Sequence, residues 1–357
     1  MKTLKFISLF LIITLFGCTE ENYYTTTEGL GKVNVYIEGD ITNAEAQAQL
    51  EEEVGTLTEN IFVRNTTQLT NITISAIGNM QNIVIKNTSN LSNATINAGG
   101  SLYDIEVREN TTLSNLEING FNNSFANSLN IVSNTNLSII EINQIKTINN
   151  FNLSYNGVAV NFTCHDLEEI KNNLSLYLRN DVDNIINFYD LKSVSLYSDT
   201  QNFWRGKYSI LNFPNLEKMN NLVLWDTYLG GVKINELYFP KLEEINSLVC
   251  YFGLEISTFN FPLLQRCGTF FVNCDTSQPK NPIINLPMLN QCYEFKLSHT
   301  TYNASQINSL LNKFLTISPL SGKNIELTDQ IPVAPPTGQG IIDKQTLINQ
   351  GNTVITD

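Results

Sequence analysis

The stretch "IFVRNTTQLTNITI", residues 61–74, decides how this chain folds. Apolar residues alternate at Ile61 and Val63, polar residues interrupt, and alternation resumes at Ile72 and Ile74. An apolar residue at every second position is the mark of a strand with one buried face. The same layout returns in "IVIKNTSNLSNATI" (83–96), "IEVRENTTLSNLEI" (105–118) and "LNIVSNTNLSIIEI" (129–142), with starts 22, 22 and 24 residues apart. A unit of that size with two short strands cannot bury its apolar face alone. Coils stacked about 4.8 Å apart pair equivalent strands in register and close a continuous core. The alternation puts Ile61, Val63, Ile83, Ile85, Ile105, Val107, Leu129 and Ile131 on one interior face, and a Leu recurs behind them at Leu69, Leu91, Leu113 and Leu137.

The polar interruptions are rich in Asn and Thr, and Asn71, Asn93 and Asn115 hold the same place in successive units. Amides stacked at a bend can bond along the axis and satisfy backbone groups that the bend leaves open. The many Asn-X-Ser/Thr triplets, Asn65, Asn87, Asn110, Asn136 and Asn152 among them, are read as turn chemistry of this kind.

From about residue 160 the unit changes. "FPNLEKMNNLVLW" (213–225), "FPKLEEINSLVCY" (239–251), "FPLLQRCGTFFVN" (261–273) and "LPMLNQCYEFKLS" (286–298) share a Pro-x-Leu start and end on an alternating strand. Pro restricts the residue before it to extended backbone, which suits a corner. Insertions are expected around 198–212 and 274–283. Alignment of "LSLY" (174–177), "VSLY" (194–197), "LVLW" (222–225), "LVCY" (248–251) and "FFVN" (270–273) puts the first and third residues inward and the second and fourth outward. The outward residues Tyr177, Tyr197, Trp225, Tyr251 and Phe271 then form an exposed aromatic strip, preceded in the earlier units by Arg64, Lys86 and Arg108. Exposed aromatic patches mark contact sites. The alternatives are rings that only stabilise the sheet, or a strip covered by the 198–212 insertion.

Cys164, Cys250, Cys267, Cys274 and Cys292 are an odd number of thiols beyond Cys18. Cys267 and Cys292 occupy equivalent places in neighbouring units, as a disulfide or as two buried thiols in place of Ile. Cys164-His165 would point to opposite faces of a strand. "DVDN" (181–184) resembles a calcium loop but reads as a solvated turn. No metal, cofactor or catalytic constellation is expected. Asp199 and Asp226 are the carboxylates nearest the strip, so a polysaccharide-cleaving β-helix is the enzymatic alternative, and a self-associating structural protein the third reading.

The N-terminus "MKTLKFISLFLIITLFGC" has two lysines and an apolar stretch too short to span a bilayer as a helix. "LFGC" (15–18) resembles the bacterial lipobox, which implies removal of residues 1–17 and lipidation of Cys18. That removes Lys2 and Lys5 and no acid, taking the formal charge from −13 to −15. Only 15% of residues are charged, with no basic cluster, so a nucleic-acid partner is not expected. Acidic residues after Cys18 resemble the surface-export signal of lipoproteins of the Bacteroides–Flavobacterium type, implying an outer-membrane location facing the exterior.

The Leu-x-x-[Ile/Met]-x-x-Leu-x-Leu core resembles leucine-rich repeats. The segment 39–63 and the tail 304–357 are similar to the ends of receptor-L-domain-like, leucine-rich-repeat surface proteins. That likeness implies a mainly β, parallel β-solenoid with a helical N-terminal cap (32–60), repeats over 61–303, and an α/β C-terminal cap (304–357) after a polar tether (18–31). It implies helices at 44–53, where Asn43 is a candidate N-cap, and near 305–315 and 340–350, with strands near 324–328 and 352–356. The implied role is a non-enzymatic binding surface for an extracellular glycan, peptide or protein, with no catalytic residues to carry over.

Overall fold

The structure is a computed structural model and describes residues 30–196, 202–225, 232–251, 256–274, 276 and 279–357; for Leu102, Tyr103, 121–124 and Trp225 the backbone alone is described. The described residues form a parallel β-solenoid of about 10 turns, with 3 short helices among them. All strand pairings in its principal sheet are parallel, as stacking coils of one hand requires.

The predicted rows are present. Val35, Ile61, Ile83, Ile105, Leu129, Phe151 and Leu174 are Cα partners in succession down the front face. All are inaccessible to solvent. Ile37, Val63, Ile85, Val107, Ile131, Leu153 and Leu176 form the second interior row. Leu69, Leu91, Leu113 and Leu137 fill the bend behind them and are fully buried. Burial of each such side chain contributes roughly 1.5–3 kcal/mol, so the solenoid is held by repetition of one small gain. The front sheet begins earlier than the repeats suggested, because Asn34–Gly39 pairs with Asn60–Thr66 as a further coil. It also ends later: Asn324–Thr328 and Thr353–Thr356 extend it, with Phe295, Ile325 and Val354 in register.

The bends carry the asparagines. On the exposed side, Asn93 Nδ2 donates to Asn71 Oδ1 at 2.6 Å and Asn115 Nδ2 to Asn93 Oδ1 at 2.7 Å. A second ladder is interior. Asn110, Asn134 and Asn156 are buried. Asn110 Nδ2 donates to Ile85 O (3.0 Å) and to Asn134 Oδ1 (2.9 Å), and Asn134 Nδ2 to Val107 O (2.9 Å). Asn134 Oδ1 also accepts from the backbone of Asn110. These amides replace the ladder bonds lost where the chain turns. One residue per coil enters the left-handed region there: Asn65, Asn87, Glu109, Ser133 and Tyr155, with φ between 52° and 59°.

The helices are α1 (Asn43–Glu53), α2 (Ala304–Phe314) and α3 (Gln339–Asn349), close to the positions implied by the resemblance. The N-cap of α1 is Thr42, in a capping box with Glu45, rather than Asn43. Asn43 instead serves the neighbouring coil. Its Oδ1 accepts from the backbone of Thr70 (2.8 Å) and Asn71 (3.1 Å). In the next coil the equivalent amides of Ser92 and Asn93 donate to Thr70 O. The Asn43 side chain thus stands in for the carbonyl of a coil that does not exist. At the other end Ile307, Leu311 and Phe314 of α2 are buried, with the Phe314 ring 4.9 Å from that of Phe295.

In the second half the rear strands shorten to Glu236–Tyr238, Thr258–Asn260 and Ile283–Asn285, a separate three-stranded sheet. The Phe residues before proline turn the corner: Phe213, Phe239 and Phe261 are buried and pack in sequence at 5.7 Å and 5.5 Å.

The two asparagine ladders differ in cost. Asn134→Ala strands buried backbone groups and is expected to destabilise by about 1–3 kcal/mol. Asn93→Ala opens a rung that water can replace and should cost a few tenths of that, about 0.5 kcal/mol at most. Urea unfolding of the two variants beside the parent checks the order.

Candidate functional site

The outward columns of the front sheet differ from the uniform aromatic strip expected from sequence. Val194 is the partner of Ile170 and Met219, four places earlier in the strand than the "LSLY"/"VSLY" alignment assumed. The sheet of this coil resumes at Asn202–Arg205, where Leu176 pairs with Trp204 and Tyr177 with Arg205. The insertion therefore splits a front strand instead of joining two strands. Phe203 and Trp204 belong to the sheet, and Trp204 and Tyr208 lie in the core. Tyr197, Asp199 and Asp226 lie outside the described residues.

A buried amide repairs the split strand. Asn202 occupies the interior position between Leu174 and Leu222. Its Oδ1 accepts from Leu174 N at 2.7 Å and from Ser195 Oγ at 2.8 Å, and its Nδ2 donates to Asn221 O at 2.5 Å. This fixes the coil that places Arg205 beside Tyr177.

The remaining predicted aromatics fall into separate groups. Trp225 is the Cα partner of Tyr251. Tyr251 and Phe271 pack edge to face, with centroids 5.3 Å apart and planes at 86°. Tyr177 stacks on a ring the sequence alignment missed, Tyr155, at 6.0 Å and 28°. Tyr155 is 67% exposed and has φ 56°, a left-handed position that Asn65 and Asn87 serve in earlier coils. Left-handed backbone is uncommon for a bulky residue and costs of order 1 kcal/mol or more. The signal in the sequence was a bulky Tyr155 at the bend position that earlier coils fill with Asn65, Asn87, Glu109 and Ser133.

The stacked pair is a ridge between two shallow depressions. One, of about 330 Å³, is floored by Asn130, Asn150, Asn152 and Ser175. The other, of about 420 Å³, is lined by Arg179, Asp181 and Arg205. Partial burial, together with the Tyr155 phenol, raises the Tyr177 phenol above its ordinary value, against an opposing pull from Arg205. Arg179 is held by Asp181, and its Nη1 donates to Gly157 O at 2.6 Å. Asp183 is paired with Lys207 at 3.0 Å, so the "DVDN" turn is an ion-paired surface loop.

The two arginines that precede the strip are also paired. Arg64 meets Glu38 and lies over the stacked rings of Tyr36 and Phe62, 5.2 Å and 5.8 Å from their centroids. Arg108 meets Glu106 and Glu109. The Tyr36–Phe62 stack, 5.1 Å between centroids, escaped the sequence reading because residues 34–39 were assigned to a cap and not to a coil.

The cysteines are interior. Cys164, Cys250, Cys267, Cys274 and Cys292 are buried. Cys267 and Cys292 are Cα partners as aligned, but the disulfide is not formed. Each thiol instead donates to a backbone carbonyl, Thr269 O at 3.3 Å and Glu294 O at 3.4 Å. Burial drives the Cys164 thiol far above its ordinary value, while His165 stacks on Tyr189 at 4.7 Å, so the two do not form a nucleophile and base. His299 is bonded to Asn273 at 2.8 Å. Among the described residues no three His, Cys, Asp or Glu side chains converge as metal ligands, and no helix is long and apolar enough to cross a membrane.

Comparison of the chain with family models, with curated proteins and with solved structures returned no match.

The Tyr155→Asn variant is expected to unfold at higher urea than the parent, gaining up to about 1 kcal/mol from relief of the left-handed tyrosine. In the same variant the Tyr177 phenol should titrate at lower pH, nearer the ordinary value, as followed by ¹³C-tyrosine NMR.

Proposed function

We propose that the protein is a non-enzymatic surface lipoprotein that binds an extracellular glycan on the front face of its solenoid. The observation that carries this reading is the exposed Tyr155–Tyr177 stack beside a shallow floor of Asn and Ser side chains. Sugar rings present an apolar face that lies on aromatic rings and a rim of hydroxyls that pair with amides. A protein ligand would be expected to need a larger apolar centre than this face offers.

Binding is favoured over cleavage by the carboxylates near the site. Glycoside hydrolysis needs two, flanking the scissile bond. Among the described residues the acid lining these depressions is Asp181, and it is tied to Arg179. The likeness to leucine-rich-repeat, receptor-L-domain-like surface proteins is supported by the two-strand coil and by the positions of α1, α2 and α3. Lipidation at Cys18 and an outward-facing outer-membrane location rest on the Leu15–Cys18 motif and the acidic residues after it.

On a glycan array, Tyr155→Ala and Tyr177→Ala should each weaken the parent's signals about tenfold, the scale of one lost aromatic contact. Unchanged hits with both variants folded would remove the site from this face. In growing cells, Cys18→Ser should abolish incorporation of an alkyne-labelled fatty acid and release the protein from the membrane fraction.

A further inference from the structure

Most described asparagines of this solenoid are occupied, apart from Asn65, Asn87, Asn161 and Asn290, which are exposed. Asn34, Asn60 and Asn82 bond in series, and so do Asp104, Asn127 and Asn149, and Asn97, Asn119 and Asn143. Asn150 and Asn152 break that habit. Their side chains are partly exposed, and among the described residues neither makes a side-chain hydrogen bond. Both floor the depression beside Tyr155 and Tyr177. An unused amide offers two donors and an acceptor, and here two of them lie side by side.

The register arranges them along the axis. Asn130, Asn152 and Ser175 are Cα partners in three successive coils, and Ser128, Asn150 and Asn173 form the parallel row. Strand segments 128–132, 150–154 and 173–177 contain no charged residue. Charge resumes one coil away on either side, with Glu106 and Arg108 paired to each other and with Arg205. The rung spacing is about 4.8 Å, close to the advance of one pyranose in an extended β-linked chain. The strand backbones in this stretch are paired with neighbours on both sides, so a peptide could not add main-chain bonds here.

We propose, resting on the glycan reading above, that this strip takes a neutral β-linked glycan laid parallel to the solenoid axis. At one pyranose per coil, the first sugar lies by Tyr177, the second by Tyr155, where it pairs with Asn152 and Asn150 of the same coil, and the third pairs with Asn130. The strip itself, 128–132, 150–154 and 173–177, holds no cation for an acidic glycan; beyond the tyrosines Arg179 is committed to Asp181, and Arg205 lies one coil further along the axis.

The test is titration calorimetry with the full-length protein in a sugar-free detergent. The probes are β-1,4-linked gluco-, manno- and xylotetraose, cellobiose, and β-1,4-linked tetramannuronate as the acidic counterpart of mannotetraose. Mannotetraose should bind more tightly than tetramannuronate. Asn152→Ala should weaken it at least tenfold. Asn130→Ala should weaken the tetrasaccharide and leave cellobiose unchanged, because the disaccharide ends before that coil. Both asparagines face outward, so thermal melts should match the parent. Tighter binding of tetramannuronate than of mannotetraose overturns the proposal. So does neutral binding that is insensitive to Asn152→Ala but abolished by Tyr177→Ala, a result that leaves the glycan reading standing. If the parent binds none of the oligosaccharides, or any other glycan, both fall.

Discussion

In a parallel ladder each strand can satisfy its backbone only by aligning with the strands above and below it, and that alignment turns residue positions into rows. Every other feature of this protein follows from it. A polar residue at an interior place must find its partners inside the core, so apolar side chains hold the first interior row from Val35 to Val354 except at Asn202, whose amide oxygen and nitrogen are both bonded. The bends interrupt the ladder in every coil, and asparagine amides restore the missing bonds in both the exposed and the buried ladders. Where the stack ends, Asn43 continues the same logic with a side-chain carbonyl.

The candidate site lies where the repetition lapses. Tyr155 takes a backbone conformation that suits Asn and in return projects a ring into solvent. Asn150 and Asn152 leave the ladders and keep their amides open to the surface. A coil away, the strand is split and resealed by Asn202, which brings Arg205 beside Tyr177. Departures from local consistency tend to collect at functional places, and these three sit within neighbouring coils of one face.

Much of the fold was legible because strand register is dictated by burial. A slip by one residue would expose Ile83 and Ile105, so the rows could be read from alternation alone. The interior leucines and the Asn71–Asn93–Asn115 ladder were legible for the same reason. The site was less so. "LSLY" and "VSLY" look alike, but similarity of four residues does not reveal where an insertion enters a strand. Val194 therefore lies opposite Ile170 instead of Leu174. Tyr155 was passed over because a bend residue belongs to no strand column. Cys267 and Cys292 were correctly stacked, yet each thiol is used as a donor to a carbonyl. Asn43 and Thr42 are both capping residues by type, and only the position of the first coil separates their roles.

The claim on which the site depends is the register that sets Tyr177 against Arg205 and brings its ring to Tyr155. Interstrand backbone nuclear Overhauser contacts of Tyr177 measure it directly. The account predicts contacts from the Tyr177 backbone to Arg205 on one side and Ser154 on the other. Contacts from Tyr177 to Tyr197 in place of Arg205 would contradict it and restore an unbroken aromatic column.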